Sequence, residues 1–396
     1  MTSRFDITRV RLRHYRSIAA CDVKLGPLTL LVGSNGSGKS NFLDALRLTA
    51  QALTENLDNA LRERGGAAEV RRRSRGHPDH FSVDISFVGP ISKGSYSFQI
   101  GTSSGGDYQI TQESCAVWVR DARISTGTAP RRFMVRGGES LSGTEHPMPR
   151  PSKDRLYLVA ASGLEPFRQV YDGLANMNFY KINPDSVRHL QKPQSGDLLR
   201  QDGSNIASVI ERLRRESPET KQRIEEYLSR VVAGVVGVDR QGLGAWETVE
   251  FRQRVAGDAV PWTFPATSMS DGTLRALGVL CALLASTQTT NSPVGVEEPE
   301  AALHPAAAGI LLDALRDASA SRQVLVTTHS PDLFDSPTIQ PDELLAVQSI
   351  NGNTEIAPLD RAGQQVLRES LYMPGELLPA NELIEDTEDY QAESYR

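Results

Sequence analysis

Eight consecutive residues near the N-terminus have the types and spacing of a phosphate-binding loop. They follow the apolar run Leu28 to Val32, which is typical of a buried strand. The motif is G-x-x-x-x-G-K-S, and its members are Gly33, Ser34, Asn35, Gly36, Ser37, Gly38, Lys39 and Ser40. In such a loop the backbone N–H groups surround phosphate oxygens, the lysine reaches the β and γ phosphates, and the serine hydroxyl binds Mg²⁺. A helix predicted over Lys39 to Leu53 would point its N-terminus at the anion. The order of strand, loop and helix therefore predicts a site for ATP or another nucleoside triphosphate with Mg²⁺. The residues predicted to bind the nucleotide are those of the loop together with Asn41. A chance Gly/Ser-rich turn is the rejected alternative.

Two adjacent carboxylates form the second group that could do chemistry. Glu297 and Glu298 close the apolar stretch Pro293 to Val296. In a strand that ends this way, the first carboxylate can hold the magnesium shell while the second orients and deprotonates a water. A solvated acidic turn is the alternative. His329 follows another core-strand pattern, Val324 to Thr327, although a lone histidine is more often an ordinary surface or core residue. The candidate catalytic residues are therefore Glu298, His329 and Lys39, and the candidate metal ligands are Ser40 and Glu297.

Apolar patterning predicts the elements that must position these residues. Short strands and a core strand are expected at Ile7 to Leu12, Cys21 to Leu25 and Leu28 to Val32. Alternating apolar residues predict an antiparallel side sheet from Phe81 to Val88, Ser95 to Ile100 and Tyr108 to Val119. The Gly-, Ser-, Pro- and Arg-rich stretch from Asp121 to Lys153 is predicted to be an extended or mobile loop.

The middle of the chain carries helical patterns instead. Apolar stripes begin at Ile206 and Ile224, with Ser217 and Pro218 suited to the cap and first position of the second helix. Trp246 to Val255 and Val260 to Phe264 predict a hairpin, and Leu274 to Leu284 a buried helix. We therefore expect an N-terminal core half at 1–155, a helical lobe at 156–290, a C-terminal core half at 291–380 and an acidic, disordered tail at 381–396.

Composition limits the classes of protein that fit. The 396 residues are 39% hydrophobic and 23% charged, which is ordinary for a globular protein, and no stretch reaches the length of a membrane span. We therefore expect no membrane association and a cytoplasmic location. Three widely spaced cysteines argue against a disulfide framework or a zinc site. The chain has a net charge of −6, so nucleic acid would have to bind a local basic patch such as Arg71 to Arg75. The simpler interpretation of that patch is a solvated loop.

Together the motifs resemble the RecF/SMC/OLD branch of ABC-type ATPases, and in particular the stand-alone AAA-family ATPases of bacterial anti-phage defence. The likeness includes Tyr15-Arg16-Ser17-Ile18 before the loop and Glu297-Glu298-Pro299-Glu300 with Leu303-His304-Pro305 after the core strand. It implies an α/β P-loop fold, an ABC ATPase head with a mixed core sheet, an antiparallel side sheet and a helical lobe. It also implies that His329 is a γ-phosphate switch and places Arg16 near the phosphates.

The same resemblance gives a role to a segment that would otherwise be a common helix cap. Ser270-Asp271-Gly272 precedes the predicted helix at the position of the ABC signature loop. In such ATPases the serine and glycine grip the γ-phosphate held by a second subunit. The resemblance thus implies that Ser270 and Gly272 bind ATP in trans, across a homodimer of ATP-sandwiched heads, with a higher assembly left open.

Three departures from the family pattern matter. Glu297 stands where transporter-type ATPases have aspartate, which predicts active but slow hydrolysis. His304 stands where such transporters have the D-loop aspartate, so the sequence does not decide whether the two halves of the dimer are coupled. The Q-loop glutamine is not placed, with Gln99 and Gln109 as candidates.

Three functions remain open. The first is an ATPase whose head pairing controls a separate, nuclease-like effector in anti-phage defence, because too few residues follow His329 for the TOPRIM nuclease domain of OLD-type proteins. The second is a RecF-like DNA-binding ATPase of repair, so that a DNA or RNA partner stays possible. The third is a nucleotide-gated scaffold with little hydrolysis.

Overall fold

The structure is a computed structural model that describes residues 4–74, 78–102, 108–119, 129–144, 148–152, 154–285, 291–330, 333 and 338–358. The predicted acidic tail at 381–396 lies outside these residues, as do Arg75 and His77. Within the described ranges, no helix combines the length and the apolar character needed to cross a bilayer. Cys21, Cys115 and Cys281 are free thiols, as their spacing predicted, and the last two are buried.

The chain begins with a hairpin, enters the core and turns into helices. In order, the elements are β1 (Asp6–Tyr15), β2 (Ile18–Lys24), β3 (Leu28–Val32), α1 (Lys39–Thr54), α2 (Leu57–Arg62) and α3 (Ala67–Val70). All five residues of β3 are buried, which explains its unbroken apolar sequence. The predicted strand and the helix after the loop are therefore confirmed.

An antiparallel sheet follows and covers one side of α1. Its further strands are β4 (His80–Val88), β5 (Ser92–Thr102), β6 (Tyr108–Val119), β7 (Arg131–Arg136) and β8 (Glu139–Gly143). The strand order is β2-β1-β4-β5-β6-β7-β8. Alternate residues of β4 are buried in one hydrophobic core with the apolar face of α1, as the period of two requires. The predicted side sheet is confirmed, and it is wider than expected.

The prediction of a loop from Asp121 to Lys153 is wrong where the structure describes that segment. Strands β7 and β8 lie within it, and β7 pairs with β6 along the edge of the side sheet. Only Phe133 and Val135 of β7 are buried, so the apolar alternation is too short to stand out among arginines. The ring of Phe133 lies 4.9 Å from that of Tyr157 and 5.2 Å from that of Phe167, measured between centroids. These ring contacts fix the strand more than its own sequence does.

The middle segment contains both helices and a small sheet. Its elements are α4 (Tyr157–Ala161), α5 (Glu165–Ala175), β9 (Asn178–Tyr180), α6 (Pro184–Arg188), α7 (Ile206–Glu216), α8 (Pro218–Val231), β10 (Val235–Leu243), β11 (Trp246–Gln253), β12 (Trp262–Pro265) and α9 (Asp271–Leu284). The predicted hairpin is present as β11 and β12, and β10, which was not predicted, pairs with β11 on its other side. Buried residues of α7, α8 and α9 form a second hydrophobic core beneath the central sheet.

The last described elements complete that central sheet. They are β13 (Val294–Glu297), α10 (Ala308–Ser321), β14 (Val324–Thr328), β15 (Leu344–Ile350) and β16 (Asn353–Pro358). The strand order is β16-β15-β3-β14-β13-β9, and the pairs are parallel except for the β15–β16 hairpin. The strand β9 thus joins this sheet although it lies within the predicted helical lobe, and the lobe boundaries stay a prediction.

A buried carboxylate in the side sheet gives a prediction about stability and pH. Glu113 accepts hydrogen bonds from Tyr96 Oη (2.9 Å) and from the backbone N–H groups of Tyr157 and Leu158 at the start of α4. Burial raises the pKa of Glu113 to about 7, against the effect of these hydrogen bonds. A pKa raised by folding means that the group favours the folded state most at low pH, and that this contribution is lost as the pH rises toward 7.

We therefore expect the stability of the wild type, relative to Glu113→Gln, to fall by about 2 kcal/mol between pH 5.5 and pH 8. The measurement is the free energy of unfolding from denaturant titrations of both proteins across this range. Using the difference between them cancels the titration of all other groups. Parallel pH profiles would show that the pKa of Glu113 is not raised.

Candidate active site

The candidate residues meet at one edge of the central sheet. Strands β3, β14 and β13 are parallel neighbours, with Val32 opposite Thr328 and Glu297 opposite Thr327. Their carboxyl ends therefore lie side by side, where ligands bind in open α/β sheets. The phosphate-binding loop, His329 and Glu298 follow these three strand ends directly.

The glycines of the loop are required by its backbone and by close neighbours. Gly36 and Gly38 have φ angles of +82° and +107°, which side chains rarely permit. A Cβ atom on Gly38 would lie 2.0 Å from Thr354 Oγ1, and one on Gly33 would lie 2.1 Å from the carbonyl oxygen of Val347. The loop is thus pressed against the β15–β16 hairpin, which leaves no room for any other residue.

A chain of hydrogen bonds connects the loop to that hairpin. Asn41 Nδ2 donates to Ser17 Oγ (2.6 Å), Ser17 Oγ lies 2.7 Å from Thr354 Oγ1, and Thr354 Oγ1 donates to the carbonyl of Ser37 (2.8 Å). The amide of Asn41, a predicted nucleotide contact, is thus directed at Ser17. Sequence reasoning missed the bracing role of Thr354, because a single hydroxyl residue 317 positions from Ser37 carries no local signal, and it gave Ser17 no role beyond its place in the Tyr15-to-Ile18 motif.

Lys39 is held over the loop by its own main chain. Its Nζ atom donates to the carbonyls of Gly33 (2.7 Å) and Ser34 (2.8 Å), and the residue is only 5% exposed. Burial lowers the pKa of Lys39, while the charges of Glu298 and Glu300 oppose that shift. The ammonium group is therefore a pre-placed cation whose carbonyl partners phosphate oxygens can replace.

Ser40 and Glu297 present the oxygen atoms that a hard cation prefers. Ser40 Oγ donates to Glu297 Oε2 at 3.0 Å across the gap between α1 and β13. Mg²⁺ is usually held by one or two protein oxygens together with phosphate and water. In the described ranges no cluster of three or more His, Cys, Asp or Glu side chains could hold a metal alone. The donor set of Ser40 and Glu297 fits Mg²⁺ that arrives with a nucleotide.

Glu298 and His329 form a partly exposed acid–base pair. His329 Nδ1 lies 3.4 Å from Glu298 Oε1, and about a third of each side chain is exposed. Glu298 has a φ of +45°, a strained conformation for a residue with a side chain. Its backbone N–H donates to the carbonyl of Thr327 (2.8 Å), which fixes the turn. The carboxylate of Glu298 is therefore directed toward His329 and remains accessible to a water molecule.

Glu300 lies behind this pair, and sequence reasoning gave it no role of its own. It is 8% exposed and accepts hydrogen bonds from Thr328 Oγ1 (2.5 Å) and from the backbone N–H of His329 (3.4 Å). Burial raises the pKa of Glu300, and these two hydrogen bonds act in the opposite direction. Glu300 thereby fixes the backbone that carries His329.

The predicted signature segment begins α9. Ser270 is the N-cap of this helix, and its hydroxyl accepts a hydrogen bond from the N–H of Thr273 (3.3 Å). A Cβ atom on Gly272 would lie 2.4 Å from the carbonyl oxygen of Ala302, so Gly272 packs against the turn that follows Glu298. Among the hydrogen bonds of the described residues, none joins Ser270 or Gly272 to the phosphate-binding loop of the same chain.

Other residues singled out in the sequence lie elsewhere. Arg16 forms an ion pair with Asp44 of α1 (3.0 Å), so its contact in this structure is with a carboxylate and not with the phosphate-binding loop. Gln99 and Gln109 lie in β5 and β6 of the side sheet and not at the edge where the site forms. At that edge, the residue that follows β9 is Lys181, whose Nζ atom is 3.6 Å from Glu297 Oε2.

Comparison with known proteins identifies the family and the fold of the chain. The family profile described as "AAA domain, putative AbiEii toxin, Type IV TA system" matches residues 28–335. A crystal structure of an SmcHead bound to the C-winged helix domain of ScpA is similar over 90% of this chain and 98% of that one, at 14% identity and a TM-score of 0.57.

A second solved structure is an Smc head domain with an extended coiled coil, bound to the C-terminal domain of ScpA derived from Pyrococcus furiosus. It is similar over 93% of this chain and all of that one, at 14% identity and a TM-score of 0.53. No curated protein matches the chain significantly. The chain belongs to the AAA-domain family whose profile it matches and has the fold of an SMC-like, ABC-type ATPase head.

Proposed function

We propose that this protein binds and hydrolyses ATP with Mg²⁺ in a site completed by a second copy of the chain. The observation that carries the proposal is the meeting of Lys39, the Ser40–Glu297 pair and the Glu298–His329 pair at the carboxyl ends of three parallel strands of the central sheet. A binding loop alone fits many nucleotide-binding proteins. An accessible carboxylate beside it adds the group that hydrolysis needs.

Each of these side chains has a role in ATP binding or hydrolysis. Bound Mg²⁺ would supply charge neutralisation for the phosphates, held by Ser40 and Glu297. The Lys39 ammonium group donates hydrogen bonds to phosphate oxygens in place of the carbonyls of Gly33 and Ser34. Glu298 accepts the proton of the attacking water, and His329 holds the Glu298 carboxylate through Nδ1. Solvent access to both side chains lets the water reach Glu298 and lets the proton leave.

A second copy is part of the proposal because, among the described residues, no hydrogen bond joins Ser270 or Gly272 to the loop of their own chain. The N-terminus of α9 carries the partial positive charge of a helix start, which suits a γ-phosphate. Gly272 packs on the turn after Glu298, so the signature segment and that turn form one surface. Two such surfaces related by a twofold axis would enclose two ATP molecules.

Ser270→Arg tests this arrangement. We expect the variant to bind ATP about as tightly as the wild type, because its own loop is intact, and to lose ATP-dependent pairing and turnover, because a bulky cation would occupy the phosphate position of the partner. The measurements are nucleotide titration, light scattering with ATP, and phosphate release. Ser229→Arg on the exposed face of α8 is the matched control and should behave like the wild type. A fully active Ser270→Arg protein would place this segment outside the site.

We further propose that head pairing controls a separate, nuclease-like effector subunit in the cytoplasm, in a system that defends against phage. The profile description names a toxin–antitoxin context, and a solved head of the same fold binds a winged-helix domain of another protein. Co-expression with a nuclease-like reading frame from the same locus tests this. The expected result is nucleic-acid cleavage that depends on ATP and on Ser270. Cleavage that depends on neither would contradict the proposal.

Direct DNA binding by this chain has less support. In the basic segment, Arg73 pairs with Glu69, and Arg72 donates to the carbonyls of Ser17 and Gly352. Arginines engaged in this way are less available for phosphates of a duplex. Turnover stimulated by duplex DNA with a steep salt dependence would favour the DNA-binding alternative, and turnover absent under all conditions would favour a nucleotide-gated scaffold.

A further inference from the structure

Lys181 stands at the candidate site although no motif includes it. It follows β9, whose Tyr180 is opposite Val296 in the parallel pair with β13, so Lys181 comes level with Glu297. Its Nζ atom is 3.6 Å from Glu297 Oε2. The same oxygen accepts the hydrogen bond of Ser40 Oγ at 3.0 Å. A second lysine thus contacts the same carboxylate oxygen as Ser40 of the phosphate-binding loop.

The fold does not need this ammonium group. The side chain of Lys181 is 63% exposed, and among the described residues Glu297 is its charged partner. An exposed ion pair at this distance contributes little stability, because water screens it and the long side chain must be ordered. Its backbone N–H, in contrast, is fixed by the carbonyl of Gln201 (2.9 Å). The structure therefore anchors the start of the side chain beside the site and leaves its charged end free to move.

We propose that Lys181 is a contact for the terminal phosphate that distinguishes ATP from ADP. This inference rests on the proposed function and names a further residue of the same site. Without nucleotide, the ammonium of Lys181 neutralises Glu297. When ATP is bound, the γ-phosphate is the new anion beside Glu297, and the ammonium donates to it. ADP lacks that group, so Lys181 gains nothing from ADP beyond its existing pair.

The expected difference follows from the strength of a hydrogen bond between two charged groups. Such a contact is worth about a tenfold change in affinity or more. A lysine that only shaped the site or only stabilised β9 would change the affinities for ATP and ADP equally. The ratio of the two affinities therefore separates a phosphate contact from a structural role, and it does not depend on turnover.

The test compares Lys181→Met with Lys181→Arg and with Lys93→Met, which removes an exposed lysine from β5 in the side sheet. All are made in the Glu298→Gln protein so that ATP persists. Equilibrium titration with ATP and with ADP, both with Mg²⁺, is done at dilutions where light scattering shows monomers. We expect Lys181→Met to bind ATP about tenfold more weakly and ADP within about twofold of the parent. Lys181→Arg should keep most of the preference, and Lys93→Met all of it.

Two results would overturn the inference alone. The first is a Lys181→Met protein with the parent's affinities for both nucleotides, and the second is an equal loss for both. A parent protein that binds neither nucleotide would overturn the proposed function and this inference with it.

Discussion

Glu298→Gln is expected to hydrolyse ATP at least about 100-fold more slowly than the wild type while binding it as tightly. The amide has the size of the carboxylate and can keep the 3.4 Å contact with His329 Nδ1, but it cannot accept the proton of the attacking water. Phosphate release under single-turnover conditions measures the chemical step, and nucleotide titration measures binding. The change is therefore confined to proton transfer.

The positive φ of Glu298 makes the choice of control important. Substitution by glutamine keeps the backbone strain, so a loss of turnover cannot be attributed to a relaxed turn. Glu139→Gln, in the exposed edge strand β8, is the matched control for the loss of one negative charge and should retain full activity. Wild-type turnover in Glu298→Gln would mean that another group activates the water.

Lys39→Ala is expected to weaken ATP binding by about 100-fold or more, because it removes the one cation that the loop holds over its own carbonyls. Loss of a buried side chain could also loosen the loop. Lys39→Met, which keeps the aliphatic volume, separates these effects and should lose binding equally. Melting curves without nucleotide check that both variants are folded. Tight ATP binding by Lys39→Met would place the phosphates elsewhere.

The parts of the candidate site that could be predicted from the sequence are those governed by local chemistry. The phosphate-binding loop needs glycines at fixed positions, a lysine and a hydroxyl, and the strand before it must be apolar, so the pattern of Gly33 to Ser40 is visible in eight residues. The same holds for β13 with its two carboxylates and for the Ser270 cap of α9. In each case the residues of one short segment are sufficient to predict its local structure.

The parts that the sequence did not reveal depend on contacts between distant segments. Thr354 braces the loop only because the β15–β16 hairpin lies beside it, and Lys181 reaches Glu297 only because β9 pairs with β13. Strand β7 shows the same principle in the fold, since two apolar residues in a basic segment form a strand only against the side sheet. No local pattern could have predicted these three placements.

We infer that two copies of this chain enclose ATP between the loop of one and the Ser270 segment of the other. The most direct test is the molar mass of Glu298→Gln in solution, measured by light scattering with and without Mg²⁺ and ATP. We expect a monomer without nucleotide, a dimer with ATP, and a return to the monomer when Ser270→Arg is added to the same chain. A Glu298→Gln protein that binds ATP and stays monomeric at every concentration would contradict it.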